Sequence, residues 1–335
     1  MMDALASLYA DTIGVLHTWL FEQVVQPILY HTGLIGYDEI AFGGTEWFIL
    51  GVLEMAVLYV VLRPLEAWRP VERWPDRRQV GVDVLYTALN RLGIVPLAML
   101  ALLTPASDAI MTALRMAGFQ PWHLDTVVPV LGEHPLAAFA VYLVVIDFAE
   151  YWRHRLSHKF EWWWALHALH HSQRRMSFWT DNRSHLIEDF LQSIWLATLA
   201  LAIGIPPGQF FLAIIATRML ESLQHANLRL GFGAIGERLL VSPRFHRLHH
   251  AIGLGHEGIH RGCNFAVLFP VWDMLFRTAS FVDRYEATGI RDQLDGRDYG
   301  AGWWRQQVLG VRRMWAALRR TREAVDRSPA GRQTS

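Results

Sequence analysis

A single cysteine, Cys263, is all the thiol chemistry available to this chain of 335 residues. No intrachain disulfide can form, and thiolate-held metal is nearly excluded. An excess of charge of one sign is also missing. The 31 Lys and Arg balance 31 Asp and Glu, which argues against a global attraction to nucleic acid. Met1 to Ala10 lack a basic n-region and carry Asp3, so no secretory signal is expected. There is no convincing internal repeat. There is also no flavin, haem or iron–sulfur motif, so any redox reaction here would draw its electrons from a partner.

Apolar residues, by contrast, are abundant and clustered; the chain is 52% hydrophobic. A bilayer-spanning helix needs roughly 20 mostly apolar residues. Five segments approach this: Trp47 to Leu62, Val82 to Leu103, Leu136 to Trp152, Leu186 to Ile203, and Gln209 to Leu223. So many long runs are hard to bury in one soluble core, which disfavours a soluble all-α protein. Gly204-Ile205-Pro206-Pro207-Gly208 reads as the tip of a helical hairpin joining the last two. Leu16 to Tyr30, interrupted by Glu22, Gln23 and Gln26, reads as an interfacial helix or an extra span. The tail from about Glu323 to Ser335 is polar and expected to be disordered.

Loop charge sets an orientation. Arg63, Arg69, Arg73, Arg77 and Arg78 crowd the first loop, whereas Pro105 to Pro135 holds Arg115 against Asp108, Asp125 and Glu133. The positive-inside rule puts the first loop in the cytoplasm and the second outside. The third span then returns to the cytoplasm just before His154. The C-terminal Arg312, Arg313, Arg319, Arg320 and Arg322 fall on that side too. The expected location is a bacterial inner membrane.

Ten histidines between residues 154 and 250 form the other strong pattern: His154-x-x-x-His158, His167-x-x-His170-His171, His185, His225, and His246-x-x-His249-His250. Positions i, i+3 and i+4 share one helix face, so each cluster aims two or three imidazoles at one point. That is too many ligands for one ion and suits a pair. Ser242-Pro243 is a good helix start and would put the third cluster in the first turns of a new helix. Trp162 to Trp164 suit a membrane interface. Neutral imidazole binds iron, zinc, copper and nickel, so histidine alone does not choose the metal. A structural zinc closes with four ligands, so this ligand number favours redox work.

Ligating histidines usually donate their second N–H to a carboxylate or carbonyl. Glu150, Asp181 and Glu221 each stand four residues before a candidate ligand (His154, His185 and His225), and Glu188 stands three after His185. These four acids are the expected supporting partners. Trp152, Trp162 to Trp164, Phe178 and Trp179 are candidates to line a substrate slot, with Trp152, Trp164, Phe178 and Trp179 the principal ones; interface anchoring is an equal alternative. His256-Glu257-Gly258-Ile259-His260 matches the zinc-protease pattern, but that motif works only on a helix. Gly253, Gly255, Gly258 and Gly262 disfavour one, so His256 and His260 read as loop residues near the mouth of the metal site.

These residues resemble the fatty acid hydroxylase/sterol desaturase superfamily of membrane di-iron enzymes. The resemblance rests on Asp147, Tyr151 and Trp152 leading into His154-Arg155-x-x-His158, then Trp164-x-x-His167-x-x-His170-His171-Ser172. It continues through Asn182-Arg183-x-His185 with Glu188, Gln224-His225-x-Asn227, Ser242-Pro243-x-x-His246-Arg247-x-His249-His250, Asn264-Phe265, and Trp272-Asp273-x-Leu275-Phe276-x-Thr278. It covers about Leu136 to Ser280, with order and spacing kept. Two departures stand out: Ala266 and Arg277 occupy positions where glycine is usual, and neither touches a proposed ligand. The resemblance implies an all-α integral membrane protein: four to six transmembrane or interfacial helices capped by a cytosolic helical domain that holds a dinuclear site. It further implies two iron ions (with zinc able to substitute on purification), O2, an external ferredoxin- or cytochrome-like donor, and hydroxylation or desaturation of a lipid. The corresponding division is an N-terminal membrane region, 1–135, a catalytic region, 136–280, and an Arg-rich helix with its tail, 281–335.

Two other classes compete. A haem protein predicts paired histidines at mid-membrane, whereas these lie beyond the span ends. A metal transporter or sensor predicts ionisable residues inside the spans. Glu54, Asp83, Asn90, Asp147 and Asp189 are candidates, but most sit near span ends.

Overall fold

The computed structural model describes residues 10–74, 80–119, 123–205, 207–256, 258 and 260–326. The expectations about the first residues, Arg77, Arg78, Pro206, Glu257, Ile259 and the end of the tail fall outside these. Residues 10–31 are helical with two π-helical segments, and His17 Nε2 lies 2.8 Å from the Phe42 carbonyl. The long helices then follow in order: α1 (Asp38–Trp68), α2 (Val80–Arg91), α3 (Ile94–Met116), α4 (Pro135–Lys159), α5 (Glu161–His171), α6 (Leu186–Ile203) and α7 (Pro207–His225). Shorter α8 (Gly233–Leu239), α9 (Pro243–His249) and α10 (Val271–Leu275) precede the C-terminal α11 (Trp303–Asp326).

Among the described residues four helices are long and apolar enough to cross a membrane: Ile35–Trp68, Ile94–Met116, Pro135–Lys159 and Leu186–Ile203. Two expectations need correction. Val82 to Leu103 is not one span, because the chain breaks at Gly93, whose φ of +84° is the left-handed conformation glycine adopts at little cost. On the α2 side of this break Arg91 and Asp83 are both fully buried in protein. Arg91 pairs with Glu54 of α1 and with Asp181, at 2.9 Å, and donates to Ser222 Oγ and the Arg218 carbonyl, each at 2.8 Å. Asp83 pairs with Arg183 at 2.9 Å and accepts from Gln173. A helix holding buried ions by protein partners packs in protein, and only α3 is left as the span. The second correction is narrower: α7 is not apolar enough to count among the four, although it returns His225 to the same cluster as His170. Its C-terminal half carries Arg218, Glu221 and Gln224, which line an internal cavity.

Packing then brings the site together. Gly204, φ +61°, ends α6 and turns the chain into α7, as the Gly/Pro tip implies. Leu58 and Leu62 of α1 pack on Phe178, Trp179, Ala226 and Leu228, while Ala138, Tyr142 and Ile146 of α4 pack on Ile205 and Ala213. The C-terminal helix α11 lies along α5, and its Gln307 accepts from Leu186 N at 2.9 Å and donates to Tyr86 Oη at 3.0 Å. These contacts tie the end of α4 and all of α5, α7 and α9 to one centre.

Candidate metal centre

Nine of the ten histidines converge. His154, His158, His167, His171 and His249 bring one ring nitrogen each within 4.8 Å of one another; His170, His225, His246 and His250 do the same. The two sets adjoin, since the rings of His171 and His250 stack with centroids 4.3 Å apart. Local structure explains the spacing. His154 and His158 are one turn apart on α4, and His167, His170 and His171 lie on α5. Ser242 caps α9, its Oγ accepting from Phe245 N at 3.0 Å with Pro243 in the first turn, which places His246 and His249 on that helix and His250 at its end. His225 is the last residue of α7.

Proton placement makes these rings fit a metal pair. In the five-histidine set, Nδ1–H of His154, His158 and His249 can donate to the carbonyls of Phe265, Arg261 and Cys263, at 2.9, 3.1 and 2.8 Å. His167 Nδ1 meets Glu188 Oε1 at 2.7 Å. An imidazole that donates through Nδ1 keeps a lone pair on Nε2. The Nε2 atoms of His154, His167 and His249 are buried with no hydrogen-bond partner, and those of His158 and His171 face each other at 3.1 Å. In the four-histidine set His225 Nδ1 donates to the Glu221 carbonyl at 2.7 Å. Its Nε2 then lies 2.9 Å from that of His246 and 3.1 Å from that of His170, while His250 Nε2 lies 3.1 Å from His246 Nε2. Converging lone pairs repel one another unless a cation lies between them. Burial, and then neighbouring histidines, push the imidazoles of His170, His171, His246 and His250 well below their usual range. Burial takes His249 down to about 3. Such rings stay neutral, the form a metal needs.

Residues outside the clusters aim them. Asp273 accepts from Phe265 N and Ala266 N, at 2.9 and 2.8 Å, and from Thr278 Oγ1 at 2.5 Å. Asn264, φ +57°, donates to the Phe245 and Ser280 carbonyls, at 2.8 and 3.0 Å. Asp147 of α4 accepts from Leu268 N, Phe269 N and Trp272 Nε1. Together they fix the 261–269 segment whose carbonyls orient three of the histidines. Arg277 takes φ +58°, so the position where glycine is usual is in the left-handed region here as well.

Beneath the histidines lies a cavity of about 540 Å³. Three of its helices change character along their length. On α4 the lining runs from Ile146 to Glu150, Arg153 and His154; on α7, from Phe210 and Ile214 to Thr217, Arg218, Glu221, Gln224 and His225. On α6, Leu196 and Ala197 line one end, and Ser193, Gln192, Asp189 and Glu188 the other. Helix α3 adds an apolar strip of Val95, Leu97, Leu100 and Leu103. Beyond that strip α3 adds Thr104, Ser107 and Asp108, so the cavity is polar where it meets the histidines, apolar along its middle and polar again towards the far end of α3.

Several sequence expectations require correction. His185 joins neither cluster: its Nε2–H donates to the Gln307 carbonyl at 2.8 Å and its Nδ1 caps α6 by accepting from Ile187 N. Both ring nitrogens are therefore committed. Glu188 supports His167 rather than His185. Asp181 holds Arg91 and Ser222, and Glu150 holds Arg153 at 2.8 Å and Gln192 at 3.1 Å, so neither reaches a histidine. At Glu221 only the backbone carbonyl meets His225, while the side chain lines the cavity.

None of the four aromatic slot candidates lines this cavity. Phe178 and Trp179 belong to the core under α1. Trp152 packs edge-on against Phe276, 4.9 Å between centroids, and Trp164 stacks on His256 at 3.6 Å. Nor is the tryptophan triplet a free interface anchor, since Trp163 is buried. His256 and His260 lie in a turn-rich loop; the ring of His256 is 5.6 Å from that of His158, and His260 Nδ1 is 3.3 Å from Arg155. The buried Arg91 network and the Gln307 contacts escaped the sequence reading. An arginine close to an apolar run and Glu54 inside a span were the available signals.

An ornithine lipid hydroxylase of Rhizobium tropici is 27% identical over 250 residues, 73% of this chain and 70% of that protein. Alkylglycerol monooxygenases of Xenopus tropicalis and Homo sapiens are 30% and 28% identical, over 40% and 44% of this chain. The matched parts are only 28% and 31% of those two proteins. No solved structure matches the chain. Residues 139–278, which hold all nine clustered histidines, match the fatty acid hydroxylase family; with its four candidate spans the chain is an integral membrane protein similar to enzymes of the lipid hydroxylase and monooxygenase kind.

Proposed function

We propose that the protein is a membrane di-iron oxygenase that hydroxylates a lipid, or desaturates it, with O2 and electrons from an external donor. The carrying observation is the convergence of nine imidazoles in two adjoining sets at the polar end of one cavity. The sets divide the ligands as His154, His158, His167, His171 and His249, and His170, His225, His246 and His250. A bound iron pair would supply the means to activate oxygen against an unreactive C–H bond. Hydroxylation consumes O2, two electrons and two protons, turns C–H into C–OH and releases one water. The relatives named for ornithine lipid and alkylglycerol support a polar lipid as substrate.

The chain's own residues position and exclude. The apolar strips of α3, α6 and α7 hold the hydrocarbon and keep water from it. Glu188 and the carbonyls of Arg261, Cys263 and Phe265 hold protons on Nδ1, so that Nε2 faces inward. Arg63 near the end of α1 and Arg69 and Arg73 just after it, set against Asp108 and Arg115 towards the far end of α3, support a cytoplasmic face for the metal centre.

The test compares lipid extracts by mass spectrometry from a host expressing this protein and one expressing the His249→Ala, His250→Ala variant. We expect a lipid that gains one oxygen, or loses two hydrogens, only with the intact chain, and two iron atoms per purified chain. Matching extracts together with protein that binds no redox metal would reject the reading.

A further inference from the structure

The polar end of the cavity has unmet demand that the histidines do not explain. Among the described residues, Glu150 Oε1, Thr217 Oγ1, Arg218 Nη2 and Gln224 Oε1 are buried without a hydrogen-bond partner, and all four side chains line the cavity. Glu150 is 5% and Gln224 1% exposed. Their remaining atoms are well engaged: Glu150 Oε2 holds Arg153 and Gln192, and Gln224 Nε2 donates to the Val267 carbonyl at 2.7 Å. None of the four atoms bonds a histidine. Buried polar atoms are normally paired, so four orphans in the lining of one cavity, contributed by α4 and α7, mark places for a polar ligand or for water. Three of them are oxygens that accept, and one is a guanidinium N–H.

We infer that Glu150, Thr217 and Gln224 form an acceptor-rich subsite for the hydrogen-bond-donating head of a lipid, which lies with its head at the histidines and its chain along the apolar strip. Hydroxyl or ammonium N–H groups supply the missing donors, and Arg218 can serve one acceptor on the same head. Phe210, Ile214 and Leu196 lie farther along their helices, where a hydrocarbon fits. The inference deepens the lipid-oxygenase reading and rests on it. Its consequence is regiochemical: oxidation falls within the first few carbons from the head and not at mid-chain.

Binding can be measured without turnover, on the purified full chain in nanodiscs with no electron donor present. The probe is a tritiated long-chain vicinal diol. Its competitors are the bis-methyl ether of that diol, which keeps the oxygens and loses the donors, and a primary amine of equal chain length. We expect the ether to compete at least about tenfold more weakly than the unlabelled diol. Thr217→Val, which removes a hydroxyl with no partner in the protein, should lower diol affinity about fivefold, the worth of one neutral hydrogen bond. Competition by the amine identifies ammonium as the donor, and its failure identifies hydroxyl. An ether that competes as well as the diol, with Thr217→Val unchanged, would mean that water alone fills the wall and would overturn the subsite. Oxygen found at mid-chain in the product of iron-loaded membranes would overturn the orientation. In either case two bound metals and an oxygenated lipid would leave the oxygenase reading standing, whereas their absence would remove that reading by itself.

Discussion

The two histidine sets differ in how their rings are held. In the five-histidine set four of the Nδ1 atoms have fixed partners, and three of these are carbonyls of the 261–265 segment, about a hundred residues from His154 and His158. In the four-histidine set His225 bonds its own helix and His170 the backbone of Arg183, while the Nδ1 atoms of His246 and His250 are buried with no partner. One set is oriented mainly by tertiary partners. The other relies more on the ion itself to fix its rings. Outer partners of this kind commonly change metal affinity about tenfold to a hundredfold. Similar ligands can therefore hold two metals with unequal grip.

Removing ligands from both sets at once should have the largest effect. His249→Ala with His250→Ala takes one imidazole from each, and we expect fewer than one metal per chain by elemental analysis and no oxygenated lipid. A variant that retains both metals would show that the clusters are not the ligand sets. Chelation of the intact protein should be stepwise, with the four-histidine site emptying at a chelator concentration about tenfold lower. Release of both ions in a single step would show that the two sets hold their ions equally. Glu188→Gln should act on the five-histidine site alone, lowering its retention about tenfold, because the neutral amide holds the His167 proton less well. Equal loss from both sites would mean that the two are coupled. The smallest effect is expected from His185→Asn. Metal content should stay at the intact value, and stability should fall by about 1 kcal/mol for the lost bond to Gln307, read as a small drop in Tm. Loss of metal in this variant would return His185 to the ligand set.

Much of the centre was legible along the chain. Helical spacing announced the three clusters, and Ser242-Pro243 announced α9. Glycine at 253, 255, 258 and 262 argued correctly that His256 and His260 are on a loop. What could not be read was choice among similar residues. His185, in a matching motif and beside Glu188, looked like a ligand, yet α11 arrives from more than a hundred residues away and takes its Nε2–H. Glu150 and Asp181 had the right offset from a histidine and were captured by arginines instead. The aromatic residues near the clusters suggested a slot, but α3, α6 and α7 build the cavity wall and send Phe178 and Trp179 to the core. The long apolar run at 82–103 hid a break at Gly93, because hydropathy does not register a buried arginine paired to Glu54 and Asp181.

By itself the sequence determined the membrane class, the helical spacing of the clustered histidines and the presence of more imidazoles than one ion can use. These follow from short-range rules, the helical period and the apolar length that a bilayer demands, and they hold wherever the helices end up. Tertiary structure alone decided which nine histidines meet, how they divide into five and four, which carbonyls fix their protons and where the cavity turns from apolar to polar. Those outcomes depend on buried polar groups finding partners far along the chain, and such pairings exist only once the helices have packed.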